Sequence, residues 1–292
     1  MADKPTVTQA MIQAYDEYTH LTLDRRGFMD KLSKLAGSGA AAAAIAPLLA
    51  ANGAQAAIVA ADDKRVATSE VRFRGATGVM AGYLAIPAFA NQPVPGIIVV
   101  HENRGLNDHI RDIARRLALE GYAALAVDFL SPLGGTPADE DTAREMVSEL
   151  RSSDTVANAV AARSWLSGHP RTTEKVAAIG FCWGGGLVND LAVADPDLRA
   201  GIVYYGRQPD IEDVPAIKAA MLLHYAGLDE RINAGLQAYR SALLNNDKVF
   251  GLHVYPRVNH AFNNDTSAAR YSKEAADLAW ERTLAFLKGT MF

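Results

Sequence analysis

The chain has 292 residues, of which 49% are hydrophobic and 21% charged, a balance typical of a soluble globular protein. Its net charge of -4 argues against nucleic acid or an anionic membrane surface as a partner, because both require a basic face. The single cysteine, Cys182, excludes an intramolecular disulfide and any metal site built from several cysteines.

The first of two predicted regions, 1–60, differs in composition from the second, 61–292. Arg25 and Arg26 precede a weakly apolar, alanine-rich run, and an A-x-A site follows at 54–56. Together these features predict a twin-arginine export signal, with the export machinery as a partner and a periplasmic or exported location. Because the apolar run is short and interrupted by glycine and proline, we expect no stable membrane span.

The same region allows a second interpretation. The stretch before the arginines is long for a signal, and Asp24 stands where Ser or Thr is usual. In this alternative the segment stays on a mature, cytoplasmic protein as an alanine-rich helix and serves as a contact in a homo-oligomer.

From about Asp62 onward the pattern is that of one continuous domain without a linker or repeat. Residues 70–74 and 78–86 predict an antiparallel pair of strands. The apolar run 95–101 is typical of a strand buried on both faces, and helical spacing follows over 108–120. Further strands are predicted over 122–127, 175–181, 200–204, 220–225 and 249–255, and further helices over 139–150, 154–166, 231–245 and 267–287.

Strands that alternate with helices of this length predict parallel pairing through crossover helices. We therefore expect an α/β fold with one mostly parallel sheet of about eight strands, flanked by helices on both faces. Ligands of such sheets bind beyond the carboxyl ends of the strands. Each candidate residue below follows a predicted strand.

The sequence Gly180-Phe181-Cys182-Trp183-Gly184 connects a predicted strand to a predicted helix. This is the position of a nucleophile elbow in the α/β-hydrolase fold, where the residues two places from the nucleophile must be very small. A helix N-terminus also lowers the pKa of a thiol. A lone cysteine is otherwise most often a small buried hydrophobe. A dinucleotide-binding loop is excluded because no G-x-G-x-x-G spacing fits.

A thiol nucleophile needs a base and a group that orients the base. In α/β-hydrolases an acid and then a histidine follow the nucleophile along the chain, and Asp229 and His260 each follow a predicted strand in that order. We predict His260 as the general base and Asp229 as the carboxylate that fixes its tautomer, although Asp229 could instead cap the next helix. The other histidines lack this position and order: His224 and His253 lie within strands, and His20 lies in the first region.

The loop 101–105, His-Glu-Asn-Arg-Gly, ends the strand that carries the second oxyanion donor in these folds. The backbone amides of Trp183 and Asn103 are the predicted oxyanion hole. Glu102 is either a solvated loop charge or, beside a thiol, an acceptor of the thiol proton. The spacing excludes an H-E-x-x-H zinc site, and we expect neither a metal nor a cofactor.

These motifs resemble those of the dienelactone hydrolase (carboxymethylenebutenolidase) family from about residue 70 to the C-terminus. The resemblance rests on G-F-C-W-G-G at the elbow, V-x-H-E-x-x-G around Glu102, the strand-end Asp229 and N-H-A-F at His260. It implies a Cys182-His260-Asp229 triad in which Glu102 pairs with the thiol until substrate displaces it. It also implies that the thiolate attacks a small ester or lactone and that the thioester is then hydrolysed.

Family members that act on dienelactone hold its carboxylate with arginines, one of them a few residues beyond the histidine. Residues 261–265 contain no arginine here, so the resemblance does not extend to that substrate. Arg104 and Tyr205 are the predicted substrate contacts. Further candidates for the missing arginine are Arg144, Arg207 and Arg257.

Two alternatives to this hydrolase belong to other functional classes. One is a non-catalytic α/β-hydrolase-like protein that binds or assembles through the N-terminal segment. The other is an acyltransferase that uses the same triad and passes the acyl group to an acceptor other than water.

Overall fold

The computed structural model describes residues 6–20, 22–50 and 57–292. The strands of these residues are β1 (Val66–Arg74), β2 (Val79–Pro87), β3 (Val94–Val100), β4 (Ala123–Asp128), β5 (Thr172–Phe181), β6 (Ala200–Tyr204), β7 (Ala220–Ala226) and β8 (Phe250–Tyr255). The helices are α1 (Gln9–Thr19), α2 (Arg25–Ala36), α3 (Gly39–Leu49), α4 (Asp108–Leu119), α5 (Glu140–Glu149), α6 (Ser152–Ser167), α7 (Trp183–Ala194), α8 (Glu230–Asn233), α9 (Leu236–Asn245) and α10 (Lys273–Met291).

The eight strands form one sheet in the order β1-β2-β4-β3-β5-β6-β7-β8. β2 pairs antiparallel with both β1 and β4, and every other pairing is parallel. The predicted α/β-hydrolase architecture is therefore confirmed. Because the parallel strands run in one direction, their carboxyl ends and the loops that follow them share one edge of the sheet.

Two apolar cores lie on opposite faces of the sheet. Successive side chains of a strand point to opposite faces, and β3 shows this alternation clearly. Ile97 and Val99 join the core that includes residues of α4 and α10. Ile98 and Val100 join the core that includes residues of α6, α7 and α9. The central strands are thus buried on both sides, which explains their uninterrupted apolar sequences.

Two predicted helices differ from the structure. The helix expected over 231–245 is divided into α8 and α9, which meet at Gly235. The helix expected from residue 267 begins instead at Lys273, because Ser267 forms turns in which its carbonyl accepts from the amides of Arg270 and Tyr271. The amide of Ser272 donates to the carbonyl of Phe262, which connects this segment to the loop after β8.

The N-terminal helices α1, α2 and α3 form a small helical cap with an apolar cluster of its own that includes Tyr15, Phe28 and Leu32. This cap packs onto the loops at the carboxyl edge of the sheet. The hydroxyl of Tyr18 donates to Asp141 at 2.6 Å, and the side-chain amide of Asn103 donates to the carbonyl of Thr19 at 2.5 Å. The cap therefore forms part of the surface where the candidate residues lie.

The twin arginines are the first two residues of α2, and Asp24 caps this helix by accepting from the amide of Gly27 at 2.7 Å. The predicted A-x-A site at 54–56 lies outside the described residues. No single helix within the described ranges has the length and apolarity needed to cross a bilayer, and α2 and α3 meet that test only as a pair bent by 111°. The export signal stays a prediction.

Candidate active site

Cys182 occupies a sharp turn between β5 and α7, with φ 55° and ψ -116°. A positive φ is strained for a residue with a side chain. A Cβ atom at Gly180 would collide with the carbonyl oxygen of Gly184, and one at Gly184 would collide with the carbonyl oxygen of His101. The two glycines thus let strand, turn and helix approach closely, and the cysteine side chain projects at the carboxyl edge of the sheet.

His260 and Asp229 form a buried pair, with 2.5 Å between Nδ1 of the imidazole and Oδ2 of the carboxylate. Because an ionised carboxylate can only accept, Nδ1 carries a proton, and in the neutral ring Nε2 is then the acceptor. Nε2 is buried, and within the described part of the chain it has no hydrogen-bond partner. Asp229 also caps α8 through the amide of Ile232, so the same carboxylate fills both roles considered for it.

A second imidazole lies beside the thiol, and the sequence analysis did not identify it as a site residue. His20 follows α1, and its Nε2 is 3.4 Å from Sγ of Cys182. The rings of His20 and His260 meet edge to face, with 4.8 Å between their centroids. The sulfur of Cys182 and one ring nitrogen of each histidine all lie within 4.8 Å of one another. No sequence motif around His20 marks it as a site residue, because its place beside Cys182 depends on how the helical cap packs.

The electrostatic surroundings favour a thiolate. Burial of Cys182 raises the pKa of its thiol, but the charges of His260 and His20 and the hydrogen bond between His20 and the sulfur outweigh that cost and lower the pKa to about 6. Desolvation also raises the pKa of Asp229, yet the pairing with His260 brings it below its ordinary value. A charged imidazole beside an ionised sulfur and an ionised carboxylate is therefore the favoured state.

Glu102 is buried but makes no hydrogen bond to the sulfur. Its carboxylate accepts from the side-chain amide of Asn264 at 2.8 Å and from the hydroxyl of Tyr205 at 3.5 Å. The pairing of Glu102 with the thiol that the family resemblance implies is thus not formed here, since Asn264 and Tyr205 hold the carboxylate and His20 faces the sulfur. Asn264 was missed because nothing in its sequence context marks it as a partner of Glu102.

The two predicted oxyanion donors flank the turn. Among the described residues, no backbone hydrogen bond of a turn or loop uses the amide of Trp183 or of Asn103. The indole of Trp183 stacks on the buried ring of His101 at 5.2 Å between centroids. The side chain of Asn103 is fixed on the carbonyl of Thr19. Both side chains are therefore held in place beside the pocket that Cys182 lines.

A pocket of about 310 Å³ opens over Cys182, and Tyr205, His20 and His260 are part of its wall. The arginines that line it are Arg144, Arg207 and Arg231. The predicted contact Arg104 does not line this pocket. Its guanidinium instead donates to Glu140 at 2.6 Å and to the hydroxyl of Tyr15 at 2.5 Å, so it connects the loop after β3 to α5 and to the cap.

Comparison with known proteins points to one family. The model of the dienelactone hydrolase family matches residues 80–291. A protein of Saccharolobus solfataricus provisionally named carboxymethylenebutenolidase is 35% identical over 70% of this chain and 92% of its own length. A protein of Escherichia coli K12 with the same provisional name is 33% identical over 72% of this chain and 82% of its own length.

A solved structure agrees with these relatives. The crystal structure of a provisionally named dienelactone hydrolase from Klebsiella pneumoniae matches with a TM-score of 0.69 and 30% identity, over 76% of this chain and 98% of that one. The family model begins at residue 80, so the helical cap and its His20 lie outside the matched range.

The close approach of the backbone at the elbow predicts that a side chain at Gly180 destabilises the fold. Replacing Gly180 by Ala forces a Cβ against the backbone of Gly184, and we expect the free energy of unfolding to fall by about 3 kcal/mol. Gly289→Ala is the matched control, because a methyl group at this position of α10 would meet no atom within 4 Å, and alanine stabilises a helix by about 0.5–1 kcal/mol. Urea denaturation of both variants measures the difference, and equal stabilities would contradict the close approach.

The lowered pKa of Cys182 predicts that the pH profile of its alkylation has a low midpoint. Only the thiolate reacts with iodoacetamide, so the rate at Cys182 should rise with pH and reach half its plateau near pH 6. The same chain unfolded in urea is the control and should show the ordinary midpoint of about 8.5. A native midpoint equal to the unfolded one would show that the two imidazoles do not stabilise the thiolate.

Proposed function

We propose a thiol mechanism on the following premise: this chain belongs to the dienelactone hydrolase family and is a carboxylic ester or lactone hydrolase. In the proposed mechanism, Cys182 is the nucleophile, His260 is the general acid and base, and Asp229 orients His260. The observation that carries the proposal is the free Nε2 of His260, which is buried beside a thiol of low pKa while Nδ1 is held by the carboxylate.

In the first half-reaction the thiol proton passes to imidazole, and the thiolate attacks the carbonyl carbon of the substrate. The new bond between sulfur and carbon displaces an electron pair onto the carbonyl oxygen, where the amides of Trp183 and Asn103 would stabilise it. When the tetrahedral intermediate collapses, the bond between carbon and the leaving oxygen breaks. The leaving oxygen takes the proton from imidazolium, and a thioester remains on Cys182.

In the second half-reaction water replaces the leaving group. His260 accepts a proton from water through Nε2, and the hydroxide attacks the thioester carbonyl. Collapse of the second intermediate expels the thiolate of Cys182 and releases a carboxylic acid. Asp229 stabilises the positive charge that His260 acquires in each half-reaction. For a lactone, the acid and the alcohol or enol leave as one molecule.

The pocket favours a substrate that carries a carboxylate. Three arginines line it, and no Asp or Glu is among its described lining residues. The guanidinium of Arg144 is held in the pocket wall, because its Nη1 lies 3.2 Å from the carboxylate of Asp141 and its Cζ lies 4.1 Å from the centre of the Tyr18 ring. A guanidinium binds a carboxylate through charge-assisted hydrogen bonds. Arg144 lies on α5, Arg207 lies in the loop after β6, and Arg231 lies on α8. Together they could replace the arginine absent after His260.

Glu102 has a supporting role in this proposal. Its carboxylate fixes the hydroxyl of Tyr205, and burial together with the charges of Glu102 and Cys182 raises the pKa of that hydroxyl well above its usual value. Tyr205 therefore stays protonated across the working pH range. Its ring packs 4.9 Å from the ring of His260, so the pair limits where the catalytic imidazole can move.

Loss of the nucleophile should abolish turnover. We expect Cys182→Ala to lower kcat/KM for p-nitrophenyl esters and enol-lactones by at least about 10³-fold, because the oxyanion amides alone leave only residual catalysis. Ser167→Ala, at the C-terminal end of α6 and outside the residues that line the pocket, is the control and should leave both rates unchanged. Equal rates for wild type and Cys182→Ala would refute the thiol mechanism.

Arg144 should discriminate between charged and neutral substrates. With Arg144→Gln we expect kcat/KM for an enol-lactone carboxylate to fall about tenfold, since one charge-assisted contact is lost, and that for neutral p-nitrophenyl acetate to change less than about twofold. Arg240→Gln, exposed on α9, is the matched control. A parallel loss on both substrates would show that Arg144 supports the fold and not the choice of substrate.

A further inference from the structure

His20 and Asp16 form a pair on the helical cap that parallels His260 and Asp229 on the sheet. Nδ1 of His20 lies 2.7 Å from the backbone carbonyl oxygen of Asp16 and 3.4 Å from the carboxylate Oδ1 of the same residue. Nε2 points the other way and lies 3.4 Å from the sulfur of Cys182. The thiol therefore lies between two imidazoles, each with a carboxylate on its far side.

The tautomer of His20 follows from its partners. A carbonyl oxygen can only accept, so Nδ1 must carry a proton to make the short contact with Asp16. The neutral ring then presents a lone pair on Nε2 to the thiol, which is what a proton acceptor requires. After protonation, Nε2 donates to the thiolate and Nδ1 still donates to Asp16. Both states of the ring are thus satisfied without any movement.

We propose that His20, supported by Asp16, is a second proton acceptor for Cys182 and that this part of the reaction centre is supplied by a segment outside the family match. The bond between sulfur and hydrogen breaks, the proton moves to Nε2 of His20, and the electron pair stays on sulfur. During acylation the proton goes to the leaving oxygen, and His20 is neutral again. This inference rests on the proposed thiol mechanism and adds a residue to it.

Burial and charge around His20 fit this role. The ring is only 14% exposed in its side chain, so its charge acts on the sulfur with little screening by water. The carboxylate of Asp16 compensates the positive charge, although the guanidinium of Arg231 lies 4.0 Å from Asp16 and competes for it. The other ionisable groups that line the pocket together with His20 are Cys182, His260, Tyr205, Arg144 and Arg207.

The test uses the full-length protein and the alkylation of its single thiol. For His20→Gln we expect the midpoint of the pH profile to rise by about one pH unit, because the thiolate loses one of its two imidazoles. Asp16→Asn should shift the midpoint in the same direction by a smaller amount. It keeps the backbone carbonyl that holds Nδ1, so the ring stays in place. Glu17→Gln is the matched control, since Glu17 pairs only with Lys31 among the described residues.

Turnover gives an independent readout. At pH 6 we expect His20→Gln to lower kcat for p-nitrophenyl acetate about tenfold, and at pH 8 we expect a smaller loss, because the thiolate then forms without help. Thermal unfolding of each variant shows whether it is folded. Should His20→Gln fail to fold, the midpoint of the alkylation profile of Asp16→Asn decides the question alone.

Two outcomes would overturn the proposal, and they differ from failure of the thiol mechanism. An unchanged midpoint in folded His20→Gln, or in Asp16→Asn if the first variant does not fold, would show that His20 does not take the proton. N-terminal sequencing of enzyme purified from the native cell would do the same if the active form began after residue 56. Full activity in Cys182→Ala would instead refute the mechanism itself.

Discussion

The close approach of β5 and α7 at Cys182 is the constraint on which the rest of the site depends. The positive φ of Cys182 is strained, and it persists because the surrounding backbone holds it. The amide of Cys182 donates to the carbonyl of Tyr204 on β6, and its own carbonyl accepts from the amides of Gly185 and Gly186 in α7. The rigid centre of a sheet buried on both faces thus fixes the direction of the thiol.

Given this position, the ionisation of the thiol is decided by two opposing effects. Desolvation is the largest single influence on the pKa of Cys182, and it acts against the thiolate. The two imidazoles beside the sulfur stabilise the thiolate, and their combined effect exceeds the cost of burial. A single imidazole would have to overcome the same burial alone. The surroundings of Cys182 therefore differ from those of most buried cysteines, which are apolar and leave the thiol inert.

The sequence predicted those parts of the site that depend on local order along the chain. Cys182, Asp229 and His260 each follow a strand, and parallel strands bring their ends to one edge, so topology alone places them together. His20 and Asn264 could not be found in this way, because their positions depend on how distant segments pack. Arg104 follows a strand as well, but its long side chain is drawn to Glu140 and Tyr15, a preference that strand order does not encode.

The wall of the pocket is built from two separate stretches of the chain. Cys182 and His260 follow strands of the sheet, whereas Thr19 and His20 belong to the helical cap, which lies before the matched family region. Substitutions in this wall can change the size and polarity of the acyl groups admitted without disturbing the strained turn. The range of acyl groups that fit the pocket can therefore change through substitutions in the helical cap while the backbone of the elbow stays as it is.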